Sequence, residues 1–117
     1  MNYTDLDIWK ESRELVKLMY TLTALFPKEE SYGLTNQIRR SAVSIPSNIA
    51  EGFGRQSSKE TIHFSYISRG SLYELENQVY LSLDLNYITK NNREIILEKI
   101  TVCKKLLNRF INYCKKK

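Results

Sequence analysis

The sequence predicts an all-α fold of four helices in a single domain over residues 1–117, and three observations predict it. Both prolines and all four glycines lie between residues 27 and 70, so the two ends of the chain are free of helix breakers. Apolar residues recur at helical spacing in four segments, about 5–26, 32–54, 58–87 and 92–115. Capping and turn residues fill the gaps between them. With 117 residues, 42% of them hydrophobic, the chain has the apolar material for one core.

The first helix is expected to start at Thr4, where Thr4 and Asp7 satisfy first-turn N–H groups. Ile8, Ser12, Leu15, Met19, Leu22 and Phe26 share one face with Val16 beside it, and Lys10, Arg13, Glu14 and Lys17 occupy the far side. Pro27 ends the run. Trp9 lies at the edge of the apolar stripe and reads as a packed aromatic rather than a ligand contact.

The second segment, LTNQIRRSAVSIPSNIAEGFGR from residue 34 to 55, carries two stripes. Leu34, Ile38, Ala42, Ile45, Ile49 and Phe53 form an apolar face suited to burial. Gln37, Arg40, Ser44, Asn48, Glu51 and Arg55 form a polar row about a third of a turn away. A row at the rim of a core meets a neighbouring helix, so its donors and acceptors need protein partners. Pro46 predicts a kink near Ser44 to Pro46, or two short helices. Gly52 and Gly54 suit the C-terminus, and Ser57 with Glu60 forms a capping box for the third helix.

The third helix places Phe64, Ser68, Ser71, Leu75, Val79 and Ser82 on one face, with serines where backbones approach closely. Tyr66, Tyr73, Tyr80 and Tyr87 recur every seven residues nearly opposite, joined by Ile62 and Leu83. Two apolar sides on one helix favour a homo-oligomer in which the tyrosines are the interface. Tyrosines lying along the surface with their hydroxyls in water are the plain alternative. Glu74 is expected to need a partner such as Arg40 or Arg55, and Glu51, Arg40, Asn48, Ser71 and Glu74 are expected to form one polar layer that fixes helix register.

The fourth helix is expected to be capped by Asn91 with Glu94, and to bury Ile96, Ile100, Cys103, Leu107, Phe110 and Cys114. It carries the charge of the chain. From Thr89 to Lys117 nine Lys or Arg face two Glu, a local +7 that exceeds the +5 of the whole protein. Lys104, Lys105, Arg109, Lys115, Lys116 and Lys117 are the natural phosphate contacts, with Arg39 of the second helix, which projects away from Arg40 and is expected to be exposed. A solvated face with a basic C-terminus favoured by the helix dipole is the alternative.

Other chemistry finds little support. Glu51 with Glu74 is the one carboxylate pair that acid–base work could use, and no nucleophile or phosphate loop accompanies it. Cys103 and Cys114 lie about 16 Å apart on one helix, beyond disulfide reach, and read as reduced core thiols. His63 is the only histidine and no zinc ligand set is spaced in the sequence. No catalytic residue, metal or cofactor is therefore assigned. No apolar run of about 18 residues occurs, and the acidic, polar start MNYTDLDIWKE is unlike a secretion signal, so a cytoplasmic location without a membrane partner is expected.

Leu34-Thr35-Asn36-Gln37-Ile38-Arg39-Arg40, Ser44-Ile45-Pro46-Ser47-Asn48-Ile49-Ala50-Glu51-Gly52 and Gly54-Arg55 together resemble the signature of the 23S rRNA intervening-sequence protein family. The resemblance extends to Trp9, Phe26-Pro27 and Gly70-Ser71-Leu72 with Glu74-Leu75-Glu76, and so covers almost the whole chain. It implies a small bacterial four-helix-bundle protein and a homopentamer. It also implies a likeness in fold to accessory proteins of diversity-generating retroelements, which associate with a reverse transcriptase and nucleic acid. The fold expected is thus an antiparallel up-and-down four-helix bundle with its second helix kinked at Pro46.

Three functions fit these residues. The leading one is a non-enzymatic homo-oligomeric bundle that binds nucleic acid, RNA rather than DNA, through the fourth helix. The second is a protein-interaction scaffold or accessory subunit for another protein such as a reverse transcriptase. An enzyme is the third and is discounted.

Overall fold

The computed structural model of the protein describes residues 1–117 and contains four α-helices and no strand. These are α1, Asp7–Thr23; α2, Leu34–Phe53; α3, Ser58–Asp84; and α4, Lys90–Lys115. Short 3-10 turns cover Tyr3–Asp5 and Lys28–Glu30. Each helix packs on its neighbour in the chain, and α1 closes the bundle against α4. The 27 residues of α3 extend about 40 Å at 1.5 Å per residue and set the 45 Å long dimension. None of the helices is long and apolar enough to cross a membrane.

One apolar stripe from every helix feeds the core. Leu15 and Met19 of α1, Ile38, Ala42, Ile45 and Ile49 of α2, Leu72, Leu75 and Val79 of α3, and Ile96, Ile100, Cys103 and Leu107 of α4 are all buried in one cluster. Burial of such a cluster is the main force holding the bundle together. Trp9 packs at its margin, edge-on to Tyr3 at 5.5 Å between ring centres.

The α2–α3 seam is closest. Thr61 Oγ1 donates to the Gly52 carbonyl at 2.8 Å, Ser68 Oγ to the Ile45 carbonyl at 2.9 Å, and Ser41 Oγ to Glu74 Oε1 at 2.8 Å. Residue numbers rise along α3 as they fall along α2, so the two helices run antiparallel. Of the serines expected to allow backbone approach, Ser68 is buried and reaches the α2 backbone itself, Ser71 is half-buried and meets the Ser44 side chain, and Ser82 is buried but donates within α3 to the Gln78 carbonyl.

Pro46 lies inside α2, which runs unbroken from Leu34 to Phe53, so the alternative of two short helices does not hold. Proline leaves the Ala42 carbonyl without its helical donor. Side chains add bonds around the gap: Asn48 Nδ2 donates to the Ser44 carbonyl at 2.8 Å and Ser68 to that of Ile45. These contacts hold the helix together across the proline.

The helix ends differ from expectation in four places. At the N-terminus a reciprocal capping box joins Asn2 and Asp5, and α1 begins at Asp7 without a side-chain cap, so Thr4 is not the cap. α1 stops at Thr23, whose hydroxyl donates to the Met19 carbonyl at 2.7 Å, and Phe26 lies beyond it in the following turn. α3 stops at Asp84 rather than at residue 87, because Asn86 adopts φ 62° and turns the chain. The Tyr87 amide then donates back to the Ser82 carbonyl at 2.9 Å, the closure of a helix ended by a left-handed residue. Finally, Thr89 rather than Asn91 caps α4, accepting from the Asn92 amide at 3.0 Å. Ser57 does cap α3, accepting from the Glu60 amide at 3.2 Å.

Candidate nucleic-acid interface

The outer face of α4 is built by helical spacing. Ile96, Ile100, Cys103, Leu107, Ile111 and Cys114 are buried, Ile111 taking the place expected of Phe110, which is half-buried. Lys105, Arg109 and Lys116 then fall together on the opposite side, all exposed, over about 16 Å of helix. Lys115 and Lys117 are exposed beside them at the C-terminal end, where the helix dipole favours cations. Of the nine basic residues from Thr89 onward, only Arg93 and Lys104 have a carboxylate within 4.0 Å. The positive field of Lys105, Arg109 and the three terminal lysines is uncompensated.

Tyrosines of α3 border this helix. The Arg69 guanidinium lies 4.7 Å from the Tyr66 ring centre and donates to Asn108 Oδ1 of α4 at 3.1 Å. Lys115 Nζ is 5.7 Å from the same ring, and Lys104 Nζ is 4.0 Å from the ring of Tyr73. The tyrosine row and the basic helix are thus two halves of one surface. Tyr80 continues the row, exposed. Tyr87 does not belong to it: with α3 ended at Asp84, its ring packs 5.2 Å from Phe26 and its hydroxyl donates to Glu30 Oε2 at 2.7 Å.

Two basic residues stand elsewhere than expected. Lys104 turns toward α3 and pairs with Glu76 at 2.8 Å, so it is bound within the protein. Arg39 is half-buried: its Nε donates to Thr23 Oγ1 at 2.9 Å and its guanidinium lies 4.5 Å from the Tyr20 ring centre. The exposed arginine of that pair is Arg40. Arg39 faces the last turn of α1, which supplies both an aromatic ring and a hydroxyl, and only the packed α1–α2 seam reveals this.

The polar row of α2 divides into separate pieces. Ser71 Oγ donates to Ser44 Oγ at 2.9 Å, and Asn48 Nδ2 donates to the same hydroxyl at 2.9 Å, so these three form one cluster. Glu74 bonds to Ser41, a partner that sequence reasoning missed because Ser41 falls between the two stripes. Arg55, just beyond α2, pairs with Glu51 of its last turn at 3.7 Å, an exposed couple. Gln37 and Arg40 open onto a polar groove of about 420 Å³ between α2 and α3. No single layer joins Arg40, Glu51 and Glu74. Gln78 also lines the groove and was missed; its buried Oε1 has no hydrogen-bond donor.

This arrangement separates the two carboxylates. Glu74 bonds at Ser41, about 15 Å along the α2 axis from Glu51 at 1.5 Å per residue, so the two do not share a reacting centre. Both cysteines are free and buried. Burial pushes the Cys103 thiol up to about 12, with Glu11 nearby adding to the shift, and burial raises Cys114 as well. Neither thiol is activated as a nucleophile.

Residues 4–109 match the 23S rRNA-intervening sequence protein family. The chain belongs to this family. Its fold is also that of a crystallised Bacteroides thetaiotaomicron protein, of unknown function, from the S23 ribosomal protein family. The two are 28% identical over 89% of this chain and 97% of the other, with a TM-score of 0.82. No curated protein shows a significant match. The family match takes in all of α1, α2 and α3 and most of α4, including Lys105 and Arg109, and stops before Lys115, Lys116 and Lys117. Lys105 and Arg109 therefore lie in the family domain, and Lys115, Lys116 and Lys117 extend the basic face beyond it.

Proposed function

We propose that this chain is a non-enzymatic homo-oligomeric bundle, a pentamer on the family resemblance, that binds structured RNA through the outer face of α4 in the cytoplasm. The observation that carries this reading is the uncompensated row Lys105, Arg109 and Lys116 with Lys115 and Lys117 beside it. Cations without carboxylate partners release counterions when they meet phosphates, and this supplies sequence-independent affinity. Tyr66 and Tyr73 along the margin hold Arg69, Lys115 and Lys104 over their rings and so keep further positive charge beside the row. The separation of Glu51 from Glu74 supports a role without catalysis.

Binding of nuclease-cleared protein to a labelled structured RNA across a salt series tests the proposal. Affinity should fall steeply with salt, and changing Lys105, Arg109 and Lys116 together to Ala should reduce the slope by about two to three. Absence of binding even at low salt would leave α4 a solvated face.

A second reading, a scaffold for a protein partner such as a polymerase, draws on another observation. α3 exposes Ile67, Leu81 and Leu85 as well as its tyrosines. Recovery of one stoichiometric partner from nuclease-treated lysate, lost on changing Leu81 to Lys, would favour it.

A further inference from the structure

One end of the bundle holds a cleft that the α4 face does not explain. Met1 and Leu6 on either side of the N-terminal turn, the start of α1, the α2–α3 connection and the last turns of α4 border an open cleft of about 680 Å³, within the usual range of about 300–1,000 Å³ for small-molecule sites. Leu6, Ile8, Leu106 and Phe110 give it an apolar floor, and Arg55, Arg109 and Lys117 are among its lining residues. Asp7 is the only acidic residue in the lining.

We propose that this end cleft takes one unstacked nucleotide, its base on the apolar floor and its phosphate on Arg55, Arg109 and Lys117. The inference rests on the nucleic-acid reading and adds a preference to it. An inorganic anion would leave the floor uncovered, and an uncharged apolar ligand would leave Arg109 and Lys117 unanswered. A flat ring system joined to a phosphate satisfies both. Arg109 has no carboxylate within 4.0 Å, and Lys117 rests only over the Tyr113 ring, 4.7 Å from its centre. Arg55 shares its charge with Glu51 at 3.7 Å, an exposed pair that a phosphate can replace. Gln56, Ser58 and Tyr113 also line this space, and an amide and two hydroxyls are partners suited to base edges, which an acyl chain would leave unpaired.

Bases inside a duplex are stacked and do not reach such a cleft, so the site reads unpaired ends and loops. The outer face of α4 sees only phosphates and makes no such distinction.

The test compares two fluorescent RNA hairpins, one blunt and one with a three-nucleotide single-stranded overhang, against the full chain. The overhang should bind about tenfold more tightly, the size expected of one stacked base. Tyr113→Ala, which removes an exposed ring, and Gln56→Trp, which fills the cleft, should each abolish the preference and keep the affinity for the blunt hairpin. Equal binding of both hairpins by the unaltered protein, or a preference that survives both substitutions, overturns the proposal. Failure to bind either hairpin overturns the nucleic-acid reading itself. A titration with adenosine monophosphate, followed by the amide shifts of Ser58 and Tyr113, identifies the source: saturation means a free nucleotide enters the cleft, and overhang preference without it means a strand does.

Discussion

Lys104 and Glu76 meet across the α3–α4 seam at 2.8 Å, and the same ammonium lies 4.0 Å from the centre of the Tyr73 ring. Their side chains are only 19% and 29% exposed, so the pair contributes more than an open surface ion pair does. Lys104→Ala should cost about 2 kcal/mol, the scale of a charged hydrogen bond, and lower Tm by about 8 °C. RNA binding should keep its salt slope, whereas Lys105→Ala should lower the slope by about one. Equal loss of slope in the two variants would return Lys104 to the phosphate contacts.

A second clasp joins the two connections at one end of the bundle. Glu30 accepts from the Tyr87 hydroxyl at 2.7 Å and from the Leu34 amide at 3.1 Å. The tyrosine bond first, and the amide second, hold the Glu30 carboxyl below its ordinary 4.5. The same bond, then burial and the nearby Glu30 and Glu29 charges, raises Tyr87 above 10.0. Ionised Glu30 is the form the fold favours, so its contribution is full above about pH 4.5 and is lost as pH falls through the lowered value. Neutral Tyr87 is favoured, so its contribution is full below about pH 10 and is lost as pH rises through the raised value. Urea unfolding of the unaltered protein and Tyr87→Phe should therefore differ by a constant amount from about pH 5 to pH 9 and converge at both extremes. A gap that stays constant at pH 3 would exclude this bond as its cause.

Gly52 shows where α2 and α3 come too close for a side chain. A Cβ there would stand 2.8 Å from Phe64 Cβ and 3.1 Å from the Thr61 carbonyl oxygen. Neither atom is the free end of a flexible chain, so the helices must separate. Gly52→Ala should lose about 1–3 kcal/mol and weaken the Thr61 bond to the Gly52 carbonyl. Gly54→Ala is the control, since its nearest neighbour would be at 3.5 Å and it should change Tm by far less. Matching melting curves for the two would refute the close approach.

Helical periodicity is a local property, which is why the stripe Ile38, Ala42, Ile45 and Ile49 and that of Ile96, Ile100, Cys103 and Leu107 were legible in the sequence. Ends were less so. Near residue 90 Thr89, Asn91 and Asn92 all have capping side chains, and the choice falls on Thr89 because its backbone is extended. Asn86 carried a usable signal, since asparagine tolerates the left-handed conformation that stops a helix, and reading it would have removed Tyr87 from the interface row. At the candidate site the charge of α4 was legible and its direction was not. Lys104 and Lys105 differ by one helical step of about 100°, and the position of Glu76 on the neighbouring helix decides which of them is free. Arg39 and Arg40 exchange roles for the same reason, through Thr23 and Tyr20.

The exposed side of α3 leads to the last prediction. Ile67 and Leu81 are 40% and 44% exposed, Leu85 lies one turn further, and Gly70 between them meets no neighbouring atom within 4 Å. Apolar side chains held open on a helix are covered when a second copy packs there. The protein should sediment as an oligomer at micromolar concentration, and changing Ile67 and Leu81 together to Lys should yield monomers with unchanged helical circular dichroism. Those monomers gain positive charge, so charge alone would make them bind RNA more tightly. In an oligomer the α4 faces bridge along one strand, and this raises affinity only for RNA long enough to reach two subunits. Dissociation should therefore weaken binding to a long RNA and leave a ten-nucleotide RNA bound as well or better. A monomer before any substitution would remove both the interface and the bridging argument, and leave α4 to act one face at a time.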